Sequence, residues 1–369
     1  MKRVIVSVTN DLSTDQRVDK VCCTLVSMGF NVYLTGRSLP GSLPLNRNYH
    51  TFRMKLLFHK GPFFYAEYNF RLFILLLFSK ADLLVSNDLD TLLANFLAHK
   101  LKSVPLIYDS HEYYTGTPEL VNRPFVRRIW KSIERFIFPR LKDIFTVNES
   151  IAELYFQEYG KSLHIVRNVP KKALLDVSYT PADLGFDKSK KLIILQGAGI
   201  NIQRGAEEAV LAMQFIENAL LLIVGGGDII DTLKATVVNH NLTDKVIFIP
   251  RIPYNELMKY TAASELGLTL DKDTNINYRF SLPNKLFDYI NAGIPVLASP
   301  LPEIKKIIDC YKVGLLIESH DPQHIASKIQ QMLDNDYKLK LFNNLKQAAA
   351  ELNWENEEKT LKLVYSKYV

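Results

Sequence analysis

The sequence of 369 residues predicts an α/β protein built from two doubly wound parallel-sheet domains. Three observations carry this prediction. Apolar runs of strand length alternate with helix-length segments along the whole chain. The alternation is interrupted once, by a polar, proline-containing stretch from Asn168 to Lys190. The length is too great for one average domain and sufficient for two, each with its own core.

The first set of strand-like runs is Val4 to Val8, Val32 to Leu34, Leu83 to Val85, Leu106 to Tyr108, Ile144 to Val147 and Leu163 to Val166. The second is Leu192 to Leu195, Leu221 to Val224, Val246 to Ile249, Leu266 to Leu270, Ile294 to Ala298 and Val313 to Ile317. The interruption places an N-terminal domain at residues 1–168 and a C-terminal domain at 169–350, with the cleft between them as the default ligand site. In the first helix Val18, Val21, Cys22, Leu25 and Met28 form one apolar face and Gly29 ends it. The turn before it, Thr9 to Ser13, contains no glycine, so a dinucleotide pyrophosphate has no close backbone approach there. Hydride transfer is therefore disfavoured.

Composition is that of a globular protein in water. The longest apolar run, Leu72 to Phe78, falls far short of the ~20 residues of a membrane-spanning helix. The opening Met1 to Val6 passes straight into a strand pattern without a cleavage site, and a cytoplasmic location is expected. The three cysteines, two of them adjacent at Cys22 and Cys23, offer neither a disulfide framework nor metal-ligand spacing and read as buried thiols. Residues 1–170 hold 22 Lys+Arg against 15 Asp+Glu, leaving 23 against 24 for the rest. The basic N-terminal half fits an anionic surface or substrate. No nucleic-acid partner is expected.

The segment Tyr278 to Ser299 is the most informative. Pro283 suits the first turn of a helix that Gly293 and Pro295 end. The N–H groups from Ser281 to Lys285 and the Lys285 ammonium would hold an anion, with Asp288 further along. The same pattern also fits an ordinary capped helix with solvated Lys285 and Asp288. Gln196 to Gly205 follows the first strand of the second half, where Gly197 and Gly199 allow close backbone approach and Arg204 offers donors to a diphosphate. Gly225 to Asp228 reads as a tight turn beside the cleft. Neither glycine run has the dinucleotide spacing G-x-G-x-x-G.

In the first half, His111 and Glu112 follow a strand. His111 is suited to bind a sugar hydroxyl or exchange a proton near neutral pH, and both residues could equally order a loop. Asp88-Leu-Asp90 and Asp271-Lys-Asp273 have the form of a D-x-D metal motif, but two carboxylates do not specify a metal and no metal site is assigned. Asp88 instead suits a helix start, with Asp90 and Thr91 in the first turn. Residues 122–137 form a basic amphipathic helix with Phe125, Ile129, Ile133 and Ile137 on one face and Arg128, Lys131 and Arg135 on the other. It fits a lipid-facing surface or packing on the sheet. Packing is expected, because the next strand needs a covering helix. The aromatic, cationic stretch Phe58 to Arg71 adds weight to peripheral contact with the inner face of the membrane.

Taken in order, these pieces resemble the retaining glycosyltransferases of the GT-B fold, and among them glycosyltransferase family 4 (glycosyl transferases group 1). The resemblance rests on Asp15 to Val18, Asn87 to Leu92, Tyr108 to Glu112, Arg167 to Pro170, Gln196-Gly197, Arg204-Gly205 and, most specifically, Ser281 to Tyr289 with Ala292 to Val296. It implies two Rossmann-like domains, with residues 351–369 crossing back onto the first. It implies transfer of a hexosyl group from a nucleoside diphosphate sugar to a hydroxyl of a glycan or glycolipid, with retention, in cell-envelope, exopolysaccharide or lipopolysaccharide assembly. No cofactor or metal is implied. Arg204 and Lys285 would stabilise the leaving diphosphate, and His111 of the first domain completes the catalytic candidates. Asp288 would contact the ribose, with the backbone near Arg251 and Ile252 at the base. Gly197, Gly199, Gly225, Ser281 and Leu282 would complete the donor site. Many members carry two glutamates where this chain has Phe280 and Asp288. Loss of the first leaves room for two alternatives, a nucleotide-sugar epimerase of the same fold or a catalytically weak nucleotide-sugar-binding subunit.

Overall fold

The computed structural model describes residues 1–13, 15–39, 42, 44–172 and 179–369. Part of the connecting stretch, residues 173–178, lies outside the described residues. The chain forms two compact units, Met1–Asn168 with Asn356–Val369, and Val169–Glu355. The return to unit 1 thus begins at Asn356 rather than at 351.

Unit 1 is a parallel sheet of seven strands in the order β3-β2-β1-β4-β5-β6-β7. The strands are β1 Arg3–Asp11, β2 Asn31–Arg37, β3 His50–Met54, β4 Leu83–Asn87, β5 Leu106–Ser110, β6 Asp143–Thr146 and β7 His164–Ile165. The sequence runs identify every strand but β3. That strand pairs only with β2, and its Thr51 and Phe52 are exposed, so it has no apolar run to betray it. Helix Gln16–Ser27 opens with Asp15, whose side chain accepts the Val18 N–H, and buries Val18, Val21, Cys22 and Leu25. The return helix Trp354–Tyr365 docks through Glu357, which takes the backbone N–H and the Nε of Arg167, and through Tyr365 stacked on Phe145.

Helices Gly61–Phe78, Leu89–Lys102 and Pro124–Ile137 follow strands that step in one direction across the sheet. Right-handed crossovers place them side by side on one face. The last of them corrects the expected packing. Its buried residues are Trp130, Glu134 and Ile137, whereas Phe125, Ile129 and Phe136 are exposed. The reason is local: Lys131 and Tyr159 hydrogen-bond the buried Glu134 carboxylate, and the Trp130 ring packs on Tyr65, which turns the inner face away from the apolar stripe. Cys310 is likewise exposed rather than buried, and Cys22, Cys23 and Cys310 are all free thiols.

Unit 2 is a parallel six-stranded sheet, β10-β9-β8-β11-β12-β13, comprising β8 Lys191–Gly197, β9 Ala219–Gly225, β10 Val246–Ile249, β11 Leu266–Thr269, β12 Val296–Ala298 and β13 Gly314–Leu316. Apolar clusters cover both faces: Ile193, Leu195, Leu221 and Ile223 point to one, and Leu192, Ile194, Leu222 and Val224 to the other. Each sheet has one place where the strand order reverses, between β1 and β4 and between β8 and β11. Beyond the carboxyl ends of such strands lies the usual ligand crevice of an open α/β sheet.

Candidate functional site

At the reversal point of unit 2, the chain leaving β11 carries Asp271, only 1% exposed. Its Oδ1 lies 3.5 Å from Arg204 Nη1 and its Oδ2 lies 3.6 Å from Lys285 Nζ. The structure therefore brings together the two cations expected to meet, and it does so around a carboxylate that sequence reasoning had set aside as half of a chance D-x-D motif. Thr269 Oγ1 also donates to Asp271 at 3.3 Å, and the Arg204 guanidinium lies 4.7 Å over the Tyr278 ring. Two cations thus converge on one buried carboxylate. Burial lowers the Lys285 pKa, as does the neighbouring Arg204, against the opposing pull of Asp271. A bound dianion would relieve that penalty.

The helix start differs in detail from expectation. Pro283 precedes the helix Asn284–Asn291 instead of lying in its first turn. Ser281 is already engaged: its N–H and hydroxyl both donate to the Tyr278 carbonyl, closing the short helix Ile276–Arg279. Leu282 packs against the unit 2 core and Phe280 is half-buried. Asp288 is buried and held on both oxygens, by Gln196 Nε2 at 3.0 Å and Tyr254 Oη at 2.8 Å. Gln196 Oε1 in turn accepts from Thr261. A carboxylate has about four acceptor positions, so Asp288 can still take a further hydroxyl. Gln196 and Tyr254 are the partners that spacing could not reveal.

Two glycines are required by the backbone itself. A Cβ on Gly225, at φ +136°, would meet the Gly197 carbonyl oxygen at 1.9 Å, and one on Gly205, at φ +75°, would meet that of Leu270 at 2.3 Å. Gly197 and Gly199 are different. A Cβ on Gly197 or Gly199 would stand 3.9 or 3.6 Å from its nearest neighbour, an ordinary contact, so neither position requires glycine for want of space. The Arg251 guanidinium reaches the Ala198 carbonyl beside them, and Ile252 is half-buried in the adjoining core.

At the reversal point of unit 1, polar groups pair with one another. Arg17 donates to Asp109 Oδ1 at 2.8 Å and to the Val166 carbonyl at 2.7 Å, fully buried. His111 Nδ1 lies 3.3 Å from Asp88 Oδ2, and Nε2 lies 3.5 Å from Asp109 Oδ2, the outer limit of a hydrogen bond. Asp88 sits just before the helix Leu89–Lys102, as expected, but its carboxylate accepts the His111 N–H at 2.8 Å instead of capping the helix. Its backbone, at φ 57° and ψ 167°, is one that residues with a side chain rarely adopt. Burial opposes a charged imidazole, yet Asp88 and Asp109 outweigh it and push the His111 pKa up to about 9. That direction favours the imidazolium over the neutral base near neutral pH. Asp90, buried and facing Asp88, is pushed up to about 7 and accepts a hydrogen bond from Thr9 at 2.6 Å.

Two family models divide the chain between them. Residues 16–169 match Glycosyltransferase Family 4, and residues 181–352 match Glycosyl transferases group 1. The chain belongs to the GT-B glycosyltransferases. A D-inositol 3-phosphate glycosyltransferase of Acidothermus cellulolyticus is 23% identical to this GT-B chain over 176 residues, covering 46% of the chain and 38% of that relative. Sucrose-phosphate synthase from Thermosynechococcus elongatus has a similar structure, with a TM-score of 0.82 at 17% identity, covering 100% of this chain and 99% of that one. HepE of Anabaena in complex with UDP-glucose superposes with a TM-score of 0.72 at 12% identity, over 99% and 100% of the two chains. At these identities the solved structures establish the fold.

Proposed function

We propose that this chain transfers a hexosyl group from a nucleoside diphosphate sugar to a hydroxyl of a glycan or glycolipid, in assembly of a cell-envelope or exported polysaccharide. The arrangement of Arg204 and Lys285 around Asp271 carries the reading. Two cations converging at the β8/β11 reversal point suit a diphosphate, and these fixed donors would stabilise the charge that develops as the sugar–phosphate bond breaks. Two cations can fill that role without a divalent ion, and transfer is proposed to be metal-independent. Retention of anomeric configuration is part of the same proposal, supported by the family to which the chain belongs.

Asp288, fixed by Gln196 and Tyr254, would accept from the ribose hydroxyls. Gly197 and Gly199 would let the donor approach the end of β8, with Ile252 near the base. His111 would act as a held cation that donates a hydrogen bond, not as a base at neutral pH. HepE was captured with UDP-glucose, which makes UDP-sugars the first donors to try.

The test is thermal stabilisation by UDP-, GDP-, dTDP- and ADP-sugars, followed by transfer to glycan and glycolipid acceptors. Stabilisation by one donor, lost in Arg204→Ala together with transfer, is expected. No shift with any donor would refute the reading. An epimerised donor formed without acceptor would reassign the chain to epimerisation, and tight binding without turnover would make it a binding subunit, the outcome that Phe280 favours.

A further inference from the structure

Asp271 owes its place in unit 2 to a side chain that no motif in the sequence marks. Leu270, the residue before it, lies just past the end of β11, and its carbonyl oxygen accepts from His320 Nε2 at 3.1 Å. The same nitrogen lies 3.0 Å from the hydroxyl of Ser299, just beyond β12. His320 itself follows β13, so its imidazole reaches across the end of β12 to β11. A carbonyl can only accept, so Nε2 carries the hydrogen and shares it with Ser299. The chain around His320 is fixed on both sides. Asp321 caps the helix Pro322–Met332 by accepting the His324 N–H, and its own N–H donates to the Ser319 hydroxyl at 3.1 Å.

The other side of the Leu270 carbonyl meets the loop that carries Arg204. Gly205 packs on that oxygen, closely enough to exclude a Cβ. On the near side of Arg204, Gln203 holds φ 67°, a left-handed conformation that costs energy for a residue with a side chain. The Gln203 carbonyl accepts the Lys272 N–H at 3.0 Å, and the Lys272 ammonium pairs with Glu208. Residues 203–205 and 270–272 thus form a seam with the Arg204–Asp271 contact at its centre. We propose that His320 is a positioning residue for the diphosphate grip: by holding the Leu270 carbonyl it sets where Asp271 meets Arg204 and Lys285.

Geometry gives such an anchor its value. Charged donors serve a ligand only when held within about 0.5 Å of their productive places, by groups that are themselves held. The Nε2 hydrogen of His320 is already engaged, so its effect runs through Asp271 and not through contact with the donor. The inference rests on the donor reading above. It adds the exit of β13 to those of β8 and β11 as a part of the grip.

The test is calorimetric titration of inorganic pyrophosphate and of UDP into the full chain and into two amide variants, His320→Gln and His320→Asn. Glutamine brings an amide nitrogen to the reach of Nε2, whereas asparagine is one carbon shorter and leaves the Leu270 carbonyl unmet. His320→Gln should bind within about threefold of the parent, and His320→Asn about tenfold more weakly. In an Arg204→Ala background, His320→Asn should cost about threefold or less, because one of the groups it positions is gone. Each titration is run well below the melting temperature of the variant, so that lost stability does not read as lost affinity. Equal affinity of the parent and His320→Asn, equal weakening by the two amides, or the full tenfold loss repeated without Arg204 would overturn the inference and leave the donor reading standing. A parent that binds neither pyrophosphate nor UDP would remove the diphosphate grip itself, and this inference with it.

Discussion

The two reversal points share one topology and differ in how their charges are spent. In unit 1, Arg17 and His111 face Asp109 and Asp88, so cations and carboxylates match within the protein. In unit 2, Arg204 and Lys285 both approach the carboxylate of Asp271. Carboxylates, Asp90 included, gather at the unit 1 crevice, whereas two cations meet at that of unit 2. The difference teaches that the unit 1 network holds its own loops and imidazole, whereas the unit 2 cluster offers two cations to the proposed anion.

That contrast can be broken most severely at Arg17. Arg17→Ala leaves Asp109 buried without its main partner and should cost about 3–5 kcal/mol of stability, read as a lowered denaturant midpoint. A loss under about 1 kcal/mol would mean that the unit 1 network is not the tightly paired one described. The next effect is on pH dependence. Because the folded-state pKa of His111 is raised from 6.5 to about 9, its stabilising contribution is complete below pH 6.5 and is lost as pH rises through about 9. Stability should fall by roughly 3 kcal/mol across that window, and His111→Asn should flatten the slope. A profile that is level in the parent would refute the paired imidazolium.

In unit 2 the effects should appear in binding before stability. Arg204→Ala or Lys285→Ala removes a charged donor and should weaken nucleoside diphosphate binding by roughly 10- to 100-fold, about 1.5–3 kcal/mol. The smallest change is expected from Tyr254→Phe, which deletes one hydrogen bond to Asp288 and should weaken binding by about 1 kcal/mol, measured by calorimetry. A larger loss would make Tyr254 a direct donor contact.

Much of this architecture is legible in the sequence because buried parallel strands announce themselves. Runs such as Leu192 to Leu195 are apolar on both faces, and the polar connection marks the change of unit. Strand β3 escaped because an edge strand with exposed Thr51 and Phe52 carries no such run. The meeting of Arg204 and Lys285 was legible from strand ends. The part of Asp271 was not, since a carboxylate beside a second one looks like a metal motif until its neighbours across the sheet are known. His111 shows the same limit: its position was readable, but its charge depends on Asp88 and Asp109, which only the fold brings to its two ring nitrogens. The helix Pro124–Ile137 misled because periodicity gives an apolar stripe without saying which way it faces.

The most direct measurement for the central claim is calorimetric titration of UDP into the parent protein and into Lys285→Ala at neutral pH, repeated at raised pH. The account predicts binding by the parent that falls on the alkaline side before the ordinary lysine range, because the Lys285 pKa is lowered, and at least tenfold weaker binding by the variant. Equal affinity of the two proteins for UDP would contradict it.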